Sequence, residues 1–433
     1  MAAGEHPPAP PSGRRPSGTG GLASTTGPSG TGGLGGPWRA WLPGLAADLR
    51  SPWSMPALVI IAVALTLGLT AGPILLAGAN PLEAYGEYLI VPLTSRYTLL
   101  EVLVASTPLL FTGAAVGIAF RAGYWNIGAE GQLLLGAIAA AGIGQVVGDL
   151  PSPVALTLMA TGGAVAGAAW ALVPALLRVR FRIDEVVTTL LLNPVALLLV
   201  NGLLQGPWRD PISGFPESPR IVTGAELPQL VERSRLHGGF VLALLIIVAG
   251  WYVLARTPAG LRLRAAGLSP HAARFAGIDV PRTLLRAALV SGAIAGIAGM
   301  SEVAGIQYRL TAGLSAGYGY TGIVVATLGA LSMPGITLAA LFLGDLTVGA
   351  SSAGRALAIP SQLSAVVQGT LLLVTIGLLA VRRNRLSRAV EPAAGEVVVA
   401  IEQVPGAELP PAATAIDEAG EIEVGDRPER NDR

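Results

Sequence analysis

Ten apolar runs, separated by short polar stretches, dominate the middle of the chain. They are Pro56–Ala77, Thr98–Phe120, Ile127–Val147, Pro153–Leu177, Val186–Leu204, Gly239–Ala255, Leu284–Gly305, Gly319–Leu331, Ile336–Val348 and Gln362–Val381. A helix needs about 20 apolar residues to cross a bilayer. The pattern therefore predicts an all-α, polytopic membrane protein with about ten transmembrane helices. The eighth and ninth runs are short and rich in Gly, and are the ones least expected to cross fully.

The ends of the chain differ from this middle. Residues 1–55 are rich in Gly, Pro, Ser and Thr, lack apolar periodicity, and are expected to form a disordered tail. They do not read as a signal peptide, because the first apolar run begins only at Pro56 and no small-residue cleavage site follows it. Trp38, Trp41 and Trp53 are expected to form an interfacial belt before the first span. Residues 386–433 are also expected to be disordered; from Glu391 onward they carry eleven acidic residues against three Arg. The transmembrane domain is thus expected over 56–385.

Loop charge predicts orientation, because basic residues are retained in the cytoplasm. Arg178, Arg180 and Arg182 follow the fourth run; Arg256, Arg262, Arg264, Arg274 and Arg282 follow the sixth; Arg382, Arg383, Arg385 and Arg388 follow the last. All three clusters come after even-numbered runs, so both termini are expected in the cytoplasm and the Pro207–Gly238 loop outside. In that loop Arg209, Arg220, Arg233 and Arg235 are offset by Asp210, Glu217, Glu226 and Glu232. The loop also divides the runs into two sets of five. In each set the third run begins from a Gly-rich break, at Arg121–Gly128 and at Thr311–Tyr320. Breaks at matching positions of two halves point to a transport site. An odd unit of five predicts two inverted sets.

Composition narrows the function. Of 433 residues 52% are hydrophobic and only 13% charged, with mean hydropathy +0.61, which excludes an ordinary soluble domain. There is no Cys, so no disulfide or thiolate metal site, and His6, His237 and His271 form no ligand cluster. No metal and no cofactor are expected in this chain. Every basic residue is Arg, so the Lys of a phosphate-binding loop is missing and ATP hydrolysis is not expected here. The net charge of +1 says nothing by itself about partners, and no nucleic-acid partner is expected.

Two segments could carry chemistry. Asn126-Ile-Gly-Ala-Glu130-Gly-Gln132 puts a carboxylate and two amides at the start of the third run. The spacing of Asn126 and Glu130 predicts one helical face. The segment reads either as a lining of the translocation path or as a polar helix cap. The second segment runs from Thr257 to Pro281, within a loop spanning 256–283. Ser269 as N-cap, Pro270 in the first turn and Gly277 as stop predict a helix of one to two turns. It reads either as a docking element or as a basic loop that fixes topology. Tyr124, Trp125, Tyr318 and Tyr320, in the breaks, could stack on a flat or sugar-like solute, or could simply pack. Glu101, Asn193, Asn201, Glu302, Asp345 and Gln368 read more readily as helix–helix hydrogen-bond partners than as ligand contacts.

Three motifs carry a resemblance: Gly117-Ile-Ala-Phe-Arg121-Ala-Gly-Tyr-Trp-Asn126-Ile-Gly-Ala-Glu130-Gly-Gln132; Arg264-Ala-Ala-Gly267-Leu-Ser-Pro270-His-Ala-Ala273-Arg274-Phe-Ala-Gly277-Ile278; and Gly317-Tyr-Gly319-Tyr-Thr-Gly322-Ile-Val-Val-Ala326 with Pro334-Gly335. In this order the chain resembles bacterial ABC importer permeases of the branched-chain amino acid, simple-sugar and nucleoside group, most of all the nucleoside branch. That branch works with lipoprotein receptors of the basic-membrane-protein type. Tyr124-Trp125 and Leu268-Ser269 depart from the residue pairs common there. The resemblance implies a multi-pass permease of the bacterial cytoplasmic membrane. Its partners would be a separate ABC ATPase, which holds the ATP, a second permease chain, identical or related, and a lipoprotein receptor. It also implies that Arg264, Gly267, Pro270, Ala273, Arg274, Gly277 and Ile278 belong to a coupling helix that docks on the ATPase. The translocation path would be built around Tyr124, Trp125, Asn126, Glu130, Gln132, Tyr318 and Tyr320. An ion-coupled secondary transporter is the alternative function, with Glu130, Glu302 or Asp345 as ion site; simple sugars are the alternative substrate. A membrane enzyme lacks a nucleophile–base motif.

Overall fold

Each apolar run folds as helix, and polar residues between the runs set where most of the helices begin. The computed structural model describes residues 54–381, apart from 149, 359, 361, 364 and 380. Nearly all of the two expected tails, the three N-terminal tryptophans and the Arg382–Arg388 cluster lie outside the described residues. Ser54 caps α1 (Met55–Leu76), Asn80 caps α2 (Pro81–Leu89) and Ser95 caps α3 (Arg96–Arg121). After a break come α4 (Ala129–Val146), α5 (Ser152–Phe181) and α6 (Glu185–Gln205), the last capped by Asp184. The second half holds α7 (Gly238–Arg256), α8 (Pro258–Leu268), α9 (Pro270–Phe275) and α10 (Val280–Glu302). A π-helical turn, Val303–Gln307, extends α10; then follow α11 (Tyr318–Leu328), α12 (Met333–Leu357) and α13 (Ala365–Leu379). The ninth run is longer than its apolar stretch suggested. Small and polar residues at its ends, capped by Ser332, extend α12 to 25 residues.

Seven of these helices (α1, α3, α5, α6, α7, α10 with its π turn, and α12) are long and apolar enough to cross a membrane; α11 and α13 are shorter apolar helices. The described residues contain no strand, only two isolated bridges. Burial follows the logic of lipid as solvent. The apolar window of α3 is 89% buried, against 22–28% for α1, α5, α6 and α7. Those outer helices expose Ile60, Leu69, Val165, Leu198 and Leu245, which water would not tolerate as a continuous belt.

The interior is built on small residues. α3 packs against α7, α10, α11 and α12, and α10 packs in turn against α4 and α5. Backbone meets backbone where Gly136, Gly163 and Gly167 face Gly292 and Gly296. Without a hydrophobic drive between helices in lipid, such close approach supplies the dispersion energy that holds them together.

Two opposite faces can be recognised. On one, Gly267 of α8 lies against Arg121 and Gly123, while Arg178 pairs with Glu185 at 2.9 Å, and the Glu185 carboxylate accepts from the Trp125 backbone N–H at 3.4 Å. This is the arginine face. On the other lies segment 207–238, whose Arg235 pairs with Glu101 near the start of α3 and whose Val222 donates to Gly144 near the end of α4. α4 therefore runs antiparallel to α3. α11 runs with α3, since Gly322 sits on Thr112, Val325 on Gly113, and Ile336, just beyond its end, on Gly117.

Candidate functional site

The first break is held by side chains from three helices. Asn126 is fully buried and pairs reciprocally with Gln132, amide to amide, at 2.9 Å in both directions. Its Nδ2 also donates to Ser291 of α10 at 2.9 Å, and Ser291 donates to the Ala115 carbonyl of α3 at 2.7 Å. Its Oδ1 accepts from the Gly128 N–H at 3.0 Å. From α6, Thr189 accepts from Ile127 N–H, and Asn193 accepts from Gly131 N–H while donating to the Ile127 carbonyl. The backbone groups of Ile127, Gly128 and Gly131 at the break are thus satisfied by protein, as membrane depth requires. The expected shared face of Asn126 and Glu130 is not formed. α4 begins only at Ala129, so Asn126 lies before the helix and bonds to Gln132 instead.

The second break is covered by segment 207–238. A π turn offsets carbonyls from their usual partners, and the Ala304 carbonyl accepts from Leu227 N–H at 2.8 Å. Ile221 donates to the Tyr308 carbonyl and Ser218 to the Leu310 carbonyl, both at 2.9 Å. Glu217 pairs with Arg309, and Arg220 lies 4.7 Å over the Tyr308 ring while pairing with Glu226 at 2.9 Å. This segment forms a lid over the second break; Arg220 finds its acid within the loop, while Arg235 finds its acid in α3.

The two breaks meet at one hydrogen bond. Gly319, in the first turn of α11, donates its N–H to Glu130 Oε2, in the first turn of α4, at 2.8 Å. A Cβ on Gly319 would overlap the backbone of Ala129 and Glu130, so only glycine permits this approach. Two opposed helix N-termini bring positive dipole ends to one place, and the carboxylate answers both.

Next to this junction is a cavity of about 340 Å³. Tyr318, adjacent to Gly319, lines it together with Tyr97, Glu101, Arg235, Glu302 and Arg355. Glu101, Arg235 and Tyr97 put it on the side of the lid. Among the described residues, the predicted set is therefore divided. Tyr318 faces the cavity. Glu130 lies behind it at the junction, and Asn126 and Gln132 are closed in their own network. Tyr124 is sealed among Ala119, Ala175 and Ala288. Trp125 is half exposed beside Phe120, 4.6 Å between ring centroids, and Tyr320 is partly exposed outside the cavity lining. In the sequence Arg235 stands only as an offset loop charge and Arg355 carries no signal, while Glu101 and Glu302 look like helix partners. The signal for Arg235 was Glu101 itself, a carboxylate within an apolar run that needs a cation from somewhere. Asn193 and Gln368 do bridge helices, Gln368 to Thr321 and Thr347. Asp345 is buried on α12, and its Oδ1 has no partner among the described residues.

Residues 98–376 match the family described as branched-chain amino acid transport system, permease component. The chain belongs to that family. Among curated relatives, the permease is 38% identical over 336 residues to a glucose ABC transporter permease protein of Haloferax volcanii, covering 75% of this chain and 87% of the relative. It is 34% identical over 330 residues to a guanosine ABC transporter permease protein of Bacillus subtilis, covering 75% and 94%. A nucleoside ABC transporter permease protein of Lactococcus lactis is 29% identical over 299 residues, covering 66% and 82%. The permease is thus a multi-pass transport component of the cell membrane.

On the arginine face of the permease, the short helix expected at Ser269–Gly277 is present as α9. Ser269 Oγ accepts from Ala272 N–H at 3.3 Å, and Gly277 ends the turn at φ 79°. Pro270 opens the helix, Arg274 is in its last turn, and Ala273 packs with Ala266 and Val280, with Ile278 alongside. Arg264 is exposed on α8. Gly267 rests on the Arg121 carbonyl, and its Cβ would come 3.0 Å from Gly123 N. Phe275 is 98% exposed and Leu268 80% exposed, on the face that also carries Arg264 and Arg274.

Proposed function

We propose that the permease forms the translocation path of an ABC importer for a small polar solute, with nucleosides as the leading class. The observation that carries this is the junction of two broken helices, Gly319 on Glu130, directly beside a polar cavity on the side of the lid. Such a junction can close the path while the cavity stays open, and parting the two N-termini would open it. A lipoprotein receptor would deliver solute to the lid side, which we assign to the outside. The arginine face would then be cytoplasmic, as would both termini. ATP would be bound by a separate ATPase, docked on α8 and α9 through Phe275, Leu268 and the residues from Arg264 to Ile278. A second permease copy, identical or related, would complete the path, and the two five-helix sets would be inverted repeats.

Tyr318 and Tyr97 offer aromatic faces, and Glu101, Glu302, Arg235 and Arg355 offer polar groups to hydroxyls and ring nitrogens. Simple sugars remain the second reading, favoured by the similarity to the glucose permease. Family membership argues against the ion-coupled alternative. The test is uptake of labelled guanosine, other nucleosides and glucose in cells lacking the chromosomal gene and supplied with it again. Restored nucleoside uptake supports the leading reading. Restored glucose uptake alone replaces it with the second, and uptake insensitive to loss of the ATPase would refute the ABC mechanism.

A further inference from the structure

A second, larger cavity lies away from this path. α7 and α10 each pack on α3, and between them runs a groove of about 550 Å³ floored by Ile118 of α3. Its walls are apolar, with Ala249, Val253, Val290 and Ile294 among them. Along α10 it extends from Thr283 to Ile297, about 21 Å at the helical rise, which exceeds the roughly 15 Å of one leaflet. Only the end on the arginine face is charged. There Arg262 of α8 and Arg286 of α10 line the same cavity, and among the described residues neither forms an ion pair.

Nearby aromatic residues mark the level of that end. Trp251 and Tyr252 of α7 are exposed, and Arg256 lies 5.9 Å over the Trp251 ring. Exposed Trp and Tyr of a spanning helix sit at headgroup level. Val253 and Leu254, the next residues, line the groove beside Arg262. The two arginines therefore lie where phosphates lie, and the apolar slot lies where acyl chains lie.

We propose that this groove is a binding site for one anionic phospholipid of the leaflet on the arginine face, with its phosphate between Arg262 and Arg286 and an acyl chain along Ala249, Val290 and Ile294. Basic pockets between spanning helices suit such headgroups, and each arginine near the surface adds about 1 kcal/mol. A helix from another protein would fill the apolar slot equally well, but it would answer both guanidinium groups only by carrying an acid of its own at that level, whereas an anionic lipid supplies the phosphate there by its construction. The site is separate from the translocation reading, and its test does not use uptake.

The full chain is purified in detergent, and bound lipid is counted by native mass spectrometry with phosphatidylglycerol or phosphatidylcholine of identical chains. The expected result is preferential binding of phosphatidylglycerol, reduced roughly fivefold by Arg262→Gln or Arg286→Gln and further by both. Arg286→Lys should keep the preference, because the charge remains. Ala249→Trp should fill the slot and lower binding of both lipids. Equal affinity for the two lipids in the unaltered chain would overturn the proposal. So would a preference that survives the double Gln variant. The chain has no Cys, so a single Val290→Cys can be cross-linked cleanly. Cross-linking of that residue to a second protein copy in membranes would replace the lipid with a protein interface.

Discussion

Gly319 N–H and Glu130 Oε2 lie 2.8 Å apart, and through them the first turns of two opposed helices are joined. The contact needs glycine on one side and an acceptor on the other. Glu130→Ala removes the acceptor and leaves a buried N–H unpaired, which costs about 1–3 kcal/mol. Glu130→Gln keeps an acceptor and loses only the charge at the dipole ends, about 0.3–2 kcal/mol. We expect uptake to fall in both while membrane insertion persists, and thermal unfolding of the purified chain to drop more for Ala than for Gln. Gly319→Ala should be at least as damaging, because its Cβ overlaps backbone that cannot rotate away. Wild-type uptake from Glu130→Ala together with Gly319→Ala would remove the junction from the path.

Asn126 serves Gln132, Ser291 and Gly128 at once. Asn126→Ala should therefore destabilise by about 1–3 kcal/mol through unmet buried partners. The loss should show in a lower midpoint of thermal unfolding. Unchanged stability would mean that water replaces the amide and that the break is wetter than its packing indicates.

Glu101 and Arg235 tie the lid to α3 at the cavity wall. Because the Arg235 side chain is largely exposed, the pair should add only about 0–1 kcal/mol to stability. Its expected role is in solute access. Arg235→Ala should alter the apparent affinity of uptake with little change in unfolding temperature. The charge swap Glu101→Arg with Arg235→Glu should recover part of the loss. Equal affinity across these variants would take the pair out of the solute route.

Phe275 has almost no contact within the permease, so Phe275→Ser should leave insertion and folding intact. It should weaken co-purification of the ATPase subunit and lower solute-stimulated ATP hydrolysis. Gly267→Trp should do so more severely, since any side chain there runs into the Arg121 carbonyl beneath it. Normal ATPase association in both variants would return this loop to a mere topology signal.

Orientation can be read with single cysteines, because the native chain has none. Ile212, 94% exposed on the lid, should react as Ile212→Cys with an impermeant thiol reagent in intact cells. Ser269→Cys should react only after the membrane is opened. The reverse pattern would invert the assigned topology.

The apolar runs alone determined that the chain is a bundle of membrane helices, because lipid demands long apolar segments with internally satisfied backbones. The Ser269 cap was equally legible, since capping depends on neighbours two or three residues away. Glycine-rich punctuation located both breaks. The sequence could not decide which residues meet across them. Glu130 and Gly319 are joined over 189 positions because α4 and α11 approach from opposite directions, and Asn126 and Ser291 over 165 because α10 packs against α3 and α4. The spacing of Asn126 and Glu130 misled for a local reason: a helical period assumes a helix that here starts only at Ala129. Arg235 became part of the cavity wall because segment 207–238 folds back over α3, and only the tertiary path of that lid brings its guanidinium to the Glu101 carboxylate. Local chemistry fixed the elements, while long-range packing of small residues chose which polar groups face one another.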